Sequence, residues 1–371
     1  MFFHRARFRI FQGPPTSPAL GFPCNRSILG LPRKQHRGRP AGIDSADTVK
    51  VGVLMSNSRR EFLQSSAALA VGLVGGASAL ASDPQALQKT STTAATREVH
   101  VQIPKMKFGD AEISRLVLGV NPLYGFSHYN NNFSNAMREW YTQDRVCEVL
   151  HRACSFGMNA FNFISMGRAR QDWARFLNEG GHMHLIVQVT AKDDAAELVR
   201  ELKPLALQRR GEEIDAAFKN GTMAAEREWC KRARDLGALV GVGTHKPEVI
   251  ELVEEQGWDV DFYSGCVYNR TRTEDEWKKV LNGELPEMPR EIYIQSDPAR
   301  MYKVMRQTPK TCFAFKILAA GRVADNAVAN ALRTAYASIK PNDGVYIGVF
   351  PRDKDEIREN AEIVHSILAG A

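Results

Sequence analysis

Leu239-Val240-Gly241-Val242-Gly243-Thr244-His245-Lys246-Pro247-Glu248 is the stretch that decides the fold. A short β-branched run predicts a strand over Leu239 to Gly243, apolar enough to be buried on both faces. Proline at the first helical position and Glu248 in the first turn then predict a helix carrying Val249, Ile250 and Leu252. Strand, short loop and helix make one βα unit.

The same unit recurs along the chain. Candidate strands fall at Arg115 to Val120, Ala160 to Ile164, Leu185 to Thr190, Leu205 to Gln208, Leu239 to Gly243, Asp261 to Val267, Cys312 to Ile317 and Val345 to Val349. Helical segments separate them. In the first, Val146, Leu150, Ala153 and Cys154 share one face, and Gly157 ends it as a C′ glycine. The last runs from about Lys354 to Leu368. Ahead of the first strand, Met106-Lys107-Phe108 and Glu112-Ile113-Ser114 flank Gly109-Asp110, the pattern of a small hairpin. Eight such units predict an α/β fold, a (β/α)8 TIM barrel preceded by a small N-terminal hairpin. An open doubly wound sheet is the alternative, but Gly119-Val120-Asn121-Pro122 after the first strand is no G-x-G-x-x-G fingerprint.

Upstream lies a different kind of sequence. Ser58-Arg59-Arg60-Glu61-Phe62-Leu63 and the apolar run Ala67 to Ala81 read as a twin-arginine export signal. The run has 15 residues, short of the ~20 that span a bilayer, so no stable membrane insertion is expected. Ala79-Leu80-Ala81 is a small-x-small cleavage pattern. The segmentation expected is therefore 1–54, a mis-called or disordered basic extension before Met55; 55–81, the signal peptide; 82–105, a polar linker; and 106–371, the barrel. A periplasmic or secreted location and the twin-arginine export machinery as a partner follow from that reading.

Charge supports the division. Residues 1–81 hold 11 Lys+Arg against Asp44, Asp47 and Glu61, a net +8, while the whole chain is +7 and the remainder therefore −1. The basic pI belongs to the leader, and no basic-aromatic patch in the remainder argues for nucleic acid. Beyond Cys24 the cysteines are Cys147, Cys154, Cys230, Cys266 and Cys312, an odd set. No Cys-x-x-Cys occurs, so buried single thiols are expected rather than disulfides or a metal site.

Several motifs together resemble the aldo/keto reductases. Gly157-Met158-Asn159-Ala160-Phe161-Asn162 is similar to that family's second strand, and Gly241 to Glu248 to its fifth. Tyr268-Asn269 ends the sixth strand as theirs does. Phe315-Lys316-Ile317-Leu318-Ala319-Ala320-Gly321-Arg322 resembles the seventh-strand turn, and Asp355, Glu356, Glu359 and Asn360 the eighth-strand helix. The resemblance covers about Met106 to Ile367. It implies an NADP-linked oxidoreductase, with the dinucleotide held at Arg322, Arg352, Arg358 and Asn360; Arg352 and Arg358 read equally well as solvating a surface helix.

The family's Asp-Tyr-Lys-His tetrad does not carry over. Its acid position is Asn162, its tyrosine position Gly167, and its histidine falls in Gln208-Arg209-Arg210; Lys192 stands near its lysine. A phenol activated by a Lys–Asp pair supplies the family's proton, so ordinary aldehyde reduction is expected to be absent or very slow. The candidate catalytic residues left are Lys192, His245, Lys316, Tyr124 and His128. Asn121, Asn162, Arg209, Arg210, Tyr268 and Asn269 are candidate substrate ligands. This set is cationic and amide-rich, with few strand-end carboxylates, and points to a small polar or anionic ligand and no metal. Two alternatives remain beside a divergent oxidoreductase: a non-catalytic periplasmic binding module, and a sugar isomerase or epimerase-like barrel, which the shortage of carboxylates disfavours. The aromatic stretch Tyr124 to Tyr141 reads as a lid, a carbohydrate-stacking surface or local packing.

Overall fold

In the computed structural model, residues 101–283 and 291–370 are described. Eight strands close into a barrel in the order β10-β3-β4-β5-β6-β7-β8-β9, every neighbouring pair parallel. They are β3 (Leu116–Gly119), β4 (Ala160–Ile164), β5 (His184–Val189), β6 (Ala206–Arg209), β7 (Leu239–Thr244), β8 (Phe262–Cys266), β9 (Thr311–Phe315) and β10 (Gly344–Ile347). All eight expected strands are present: Ala160–Ile164 agrees at both ends and the others are displaced by at most two residues at either end. Each is largely buried on both faces because one face fills the barrel and the other meets the helices.

The interior is built in layers of four, contributed by alternate strands. Val117, Ile186, Gly241 and Phe313 come from β3, β5, β7 and β9. Gly241 is required there: a Cβ would stand 2.2 Å from the Phe262 ring. The next layer is polar: Asn162, Gln208, Ser264 and Tyr346 from β4, β6, β8 and β10, all buried. Gly119, Gln188, Gly243 and Phe315 lie above it and line a cavity.

The hairpin of β1 (Lys105–Phe108) and β2 (Ala111–Ser114) plugs the opposite end. Phe108 meets Phe262 and Phe313 edge-on, with centroids 5.1 and 5.2 Å away. Asn159 fastens the hairpin to the start of β4: its Oδ1 accepts from Ser114 N at 2.7 Å and its Nδ2 donates to Glu112 O at 3.0 Å. The chain is docked from slightly before the expected linker boundary, since Ile103 is buried and donates its N–H to Phe156 O at 2.9 Å. The remaining leader and linker expectations lie outside the described residues.

The helices follow their sequence signals. Gln143–Ser155 ends at Phe156 and Gly157, the latter at φ +76°; Pro247 opens Pro247–Glu255; Glu356–Ala369 closes the chain. Among the described residues no helix is long and apolar enough to cross a membrane. The five cysteines from Cys147 on are free thiols.

Candidate functional site

At the C-terminal ends of the strands lies a cavity of about 370 Å³. This is the end at which (β/α)8 enzymes carry their chemistry. Its floor is the amide layer. Gln208 Oε1 accepts from Ser264 Oγ at 2.6 Å and from Tyr346 OH at 3.4 Å. Asn162 Nδ2 reaches the same oxygen at 3.4 Å, while Asn162 Oδ1 accepts from Gln188 Nε2 at 2.7 Å. Tyr346 stacks on Phe313 with centroids 4.7 Å apart, and burial pushes its phenol well above the usual range. The floor is thus neutral, with hydrogen-bonding groups of both senses.

The rim carries charge. Lys316 follows β9 directly, in a left-handed conformation at φ +60°, and lines the cavity. Its Nζ lies 3.3 Å from Glu291 Oε2. Burial lowers its pKa to about 7, the nearby Cys266 opposing that shift and Arg270 adding to it. Glu291 is shared: His128 Nδ1 lies 2.7 Å from its Oε1, Tyr293 OH donates to Oε2 at 2.6 Å, and Arg270 Nη2 donates to Oε1. His128 Nε2 accepts from Asn121 Nδ2 at 3.0 Å, so Nδ1 carries the proton. Burial, with Lys316 and Arg270 nearby, lowers the His128 pKa to about 2 and keeps the ring neutral.

His245 is buried beside Phe315. Its Nδ1 is 2.7 Å from Asp215 Oδ2, and its Nε2 is 3.0 Å from Arg270 Nη1. Asp215 also accepts from Thr244 Oγ1 at 2.5 Å and from the His245 backbone N–H. Burial lowers the His245 pKa against the pull of Asp215, leaving a neutral imidazole held in one tautomer. Arg270 therefore bridges His245 and Glu291, and its Nε has no partner among the described residues.

The expected residues divide by where their side chains go. Asn121, His128, Asn162, Arg210, His245, Lys316 and Asn360 line the cavity. Arg209 does not: it pairs with Glu213 and Glu226 at 2.7 and 2.6 Å and lies over Trp229, on the helix-facing side of β6. Successive strand residues face opposite ways, so Arg209 and Arg210 cannot both face inward. Lys192 is exposed on its loop. Tyr124 is turned to Asp172, donating at 3.1 Å. Tyr268 packs edge-on against Tyr293, and the Asn269 backbone N–H donates to Asp297. Arg322 lies over the rings of Tyr129 and Tyr293 and donates to the carbonyls of His128 and Ala319. Arg352 pairs with Asp353, and the Arg358 guanidinium is 3.9 Å from Asp355. The first loop combines two expectations: Phe126 and Phe133 are cavity wall, whereas Trp140 and Tyr141 pack on Phe350.

The scarcity of carboxylates expected at the strand ends does not extend to the cavity. Glu212, Glu356, Glu359 and Asp325 line it, and Glu291 reaches its rim from the loop after β8. These arrive from loops and first helical turns. Burial raises the Glu212 pKa, but neighbouring positive charge, Arg210 included, outweighs it and brings it to about 2. The wall near the eighth strand does not fit the 2′-phosphate of NADP. Glu356 and Glu359 face it, Lys354 there is paired with Glu359 at 2.9 Å and Asp325 at 3.5 Å, and Arg322, Arg352 and Arg358 are not among the lining residues. Carboxylates and Asn360 suit hydroxyl groups better than a phosphomonoester. Among the described residues no group of three His, Cys, Asp or Glu is arranged to hold a metal ion.

Fold and site together define a (β/α)8 barrel with a polar, charge-rimmed cavity at its strand ends. No family model matches the chain, and no curated protein does. Among solved structures it is similar to a truncated 3-deoxy-D-arabino-heptulosonate 7-phosphate synthase from Thermotoga maritima, at 13% identity over 74% of this chain and 94% of that one, with a TM-score of 0.44. A 3-hexulose-6-phosphate synthase from Salmonella typhimurium is 12% identical over 69% and 98%, with a TM-score of 0.38. The N-acetylneuraminic acid synthetase of Leptospira borgpetersenii serovar Hardjo-bovis is 8% identical over 72% and 89%, with a TM-score of 0.40. The likeness to aldo/keto reductases rests on the sequence motifs alone.

Proposed function

We propose that this chain is an exported, divergent barrel of the aldo/keto-reductase type that binds or acts on a small polar or anionic molecule, without ordinary NADPH-dependent aldehyde reduction. One observation carries the reading: the neutral amide floor of Asn162, Gln188 and Gln208 lies in the same cavity as Lys316, whose amine is about half protonated near pH 7. The floor offers donors and acceptors to hydroxyl or carbonyl oxygens, and the rim offers charge to an anion. The family's proton donor has no counterpart at its own positions. Asn162 is engaged with other amides, Gly167 has no side chain, and Lys192 is exposed. Losing general-acid assistance typically removes about 10²–10⁴-fold in rate.

The test is NADPH consumption by the full chain against a panel of aldehydes and sugars, beside calorimetric titration with small hydroxy acids. Binding without NADPH oxidation is the expected result. Robust reduction would overturn the second half of the reading. A nicotinamide dinucleotide without the 2′-phosphate is the second reading, favoured by Asn360, Glu356 and Glu359 on the cavity wall. Native mass spectrometry of protein from its own host would detect such a cofactor directly.

A further inference from the structure

Three lysines lie near the strand ends, and they are not equivalent. Lys246 is 5% exposed, but its Nζ is turned to Glu276 at 3.4 Å and it is not among the residues lining the cavity. Lys354 lines the cavity, but Glu359 and Asp325 hold its ammonium, and those contacts raise its pKa. Lys316 lines the cavity with a single carboxylate, among the described residues, within ion-pair distance of its Nζ. That carboxylate, Glu291, is already engaged by Arg270, His128 and Tyr293.

The surroundings of Lys316 disfavour its cationic form. Its side chain is 9% exposed, Arg270 holds the other oxygen of the shared carboxylate, and Arg322 adds a second positive charge nearby. Glu212 and Cys266 pull the other way. The backbone is unusual as well. Lys316 has φ +60°, and Ala319 and Ala320 in the same turn have φ +48° and +52°, a region costly for residues with a Cβ and concentrated at functional sites.

We infer that Lys316 is a reactive amine, and that the cavity captures a small hydroxylated aldehyde or ketone on it as an imine. The inference rests on the cavity being a ligand site and goes beyond that reading. The amide floor would receive the carbonyl compound's hydroxyl groups. The neutral Nζ attacks the carbonyl carbon, forming a C–N bond as the C=O π pair moves to oxygen. Both amine hydrogens end on that oxygen, which leaves as water, and a C=N bond remains. Glu291 Oε2, at 3.3 Å, is placed to carry one of those protons. No oxidant or reductant is consumed. A neutral lysine in a desolvated site beside another cation is the usual state of an imine-forming amine.

The probe is glycolaldehyde. The full chain is incubated with it, reduced with borohydride, and the hydroxyethyl adducts are located by peptide mapping at short times across a pH series. One adduct at Lys316 is expected, at least about tenfold faster than at any other lysine near pH 7, since each unit of lowered pKa leaves tenfold more free amine. Its yield should rise through pH 7, where the amine becomes neutral. Lys316→Arg should lose the fast adduct; the wild-type map decides the matter if that variant does not fold. Labelling that follows surface exposure, or that falls first on Lys354, overturns the proposal. If glycerate still binds by calorimetry while no adduct forms at Lys316, the cavity reading stands and the imine does not.

Discussion

Gln208 is the residue on which the floor depends, because one buried amide oxygen serves Ser264, Tyr346 and Asn162 together. Gln208→Leu keeps the bulk and removes the acceptor, leaving Ser264 Oγ and Tyr346 OH only each other, 3.1 Å apart, so that one hydroxyl proton is stranded. A stranded buried group costs about 1–3 kcal/mol, so urea unfolding should show a loss in that range. Lys316 gives a second prediction whose sign depends on pH. Its folded pKa is about 7 and the ordinary value is 10.5. Between those limits the unfolded chain holds a proton that the folded chain lacks, so this group makes stability rise with pH across that window. Below pH 7 its full burial penalty is present. Lys316→Met should therefore be more stable than wild type at and below pH 7, by roughly 2–4 kcal/mol, and lose that lead towards pH 10.5. An equal difference at every pH would contradict the assignment. Half of this site was legible: amides and cations at strand ends can be read from position alone. Glu291 and Asp215 were not, because a lone carboxylate in a loop or helix carries no spacing signal until the fold brings it to His128, Lys316 or His245.

Strand identity was the most legible feature, since runs buried on both faces stand out against their amphipathic neighbours. Side-chain direction at strand ends was less so, as Arg209 and Arg210 show: which of two adjacent residues faces inward depends on where the strand ends. The hairpin makes its own prediction. Phe108 bridges Phe262 and Phe313 at the closed end of the barrel. Phe108→Ala opens a void against two rings that cannot both collapse into it, and such truncations cost about 3–5 kcal/mol. The loss should appear in the unfolding midpoint while ligand binding at the other end changes little, since the two ends are separated by packed layers.

For the whole molecule, export and binding are separable claims. The pair Arg59 and Arg60 ahead of a short apolar run predicts a mature N-terminus near Ser82, to be read by N-terminal sequencing of secreted material. Changing both arginines to lysine should hold the chain in the cytoplasm; secretion unaffected by that change would remove the export proposal and leave the cavity untouched. The cavity is the central matter, and calorimetric titration of the full chain with glycerate, a small hydroxylated anion, tests it most directly. The account predicts saturable one-to-one binding that is weakened about tenfold or more in Lys316→Met, the order expected for losing one charge-assisted contact. No saturable heat, or binding indifferent to that substitution, would contradict it.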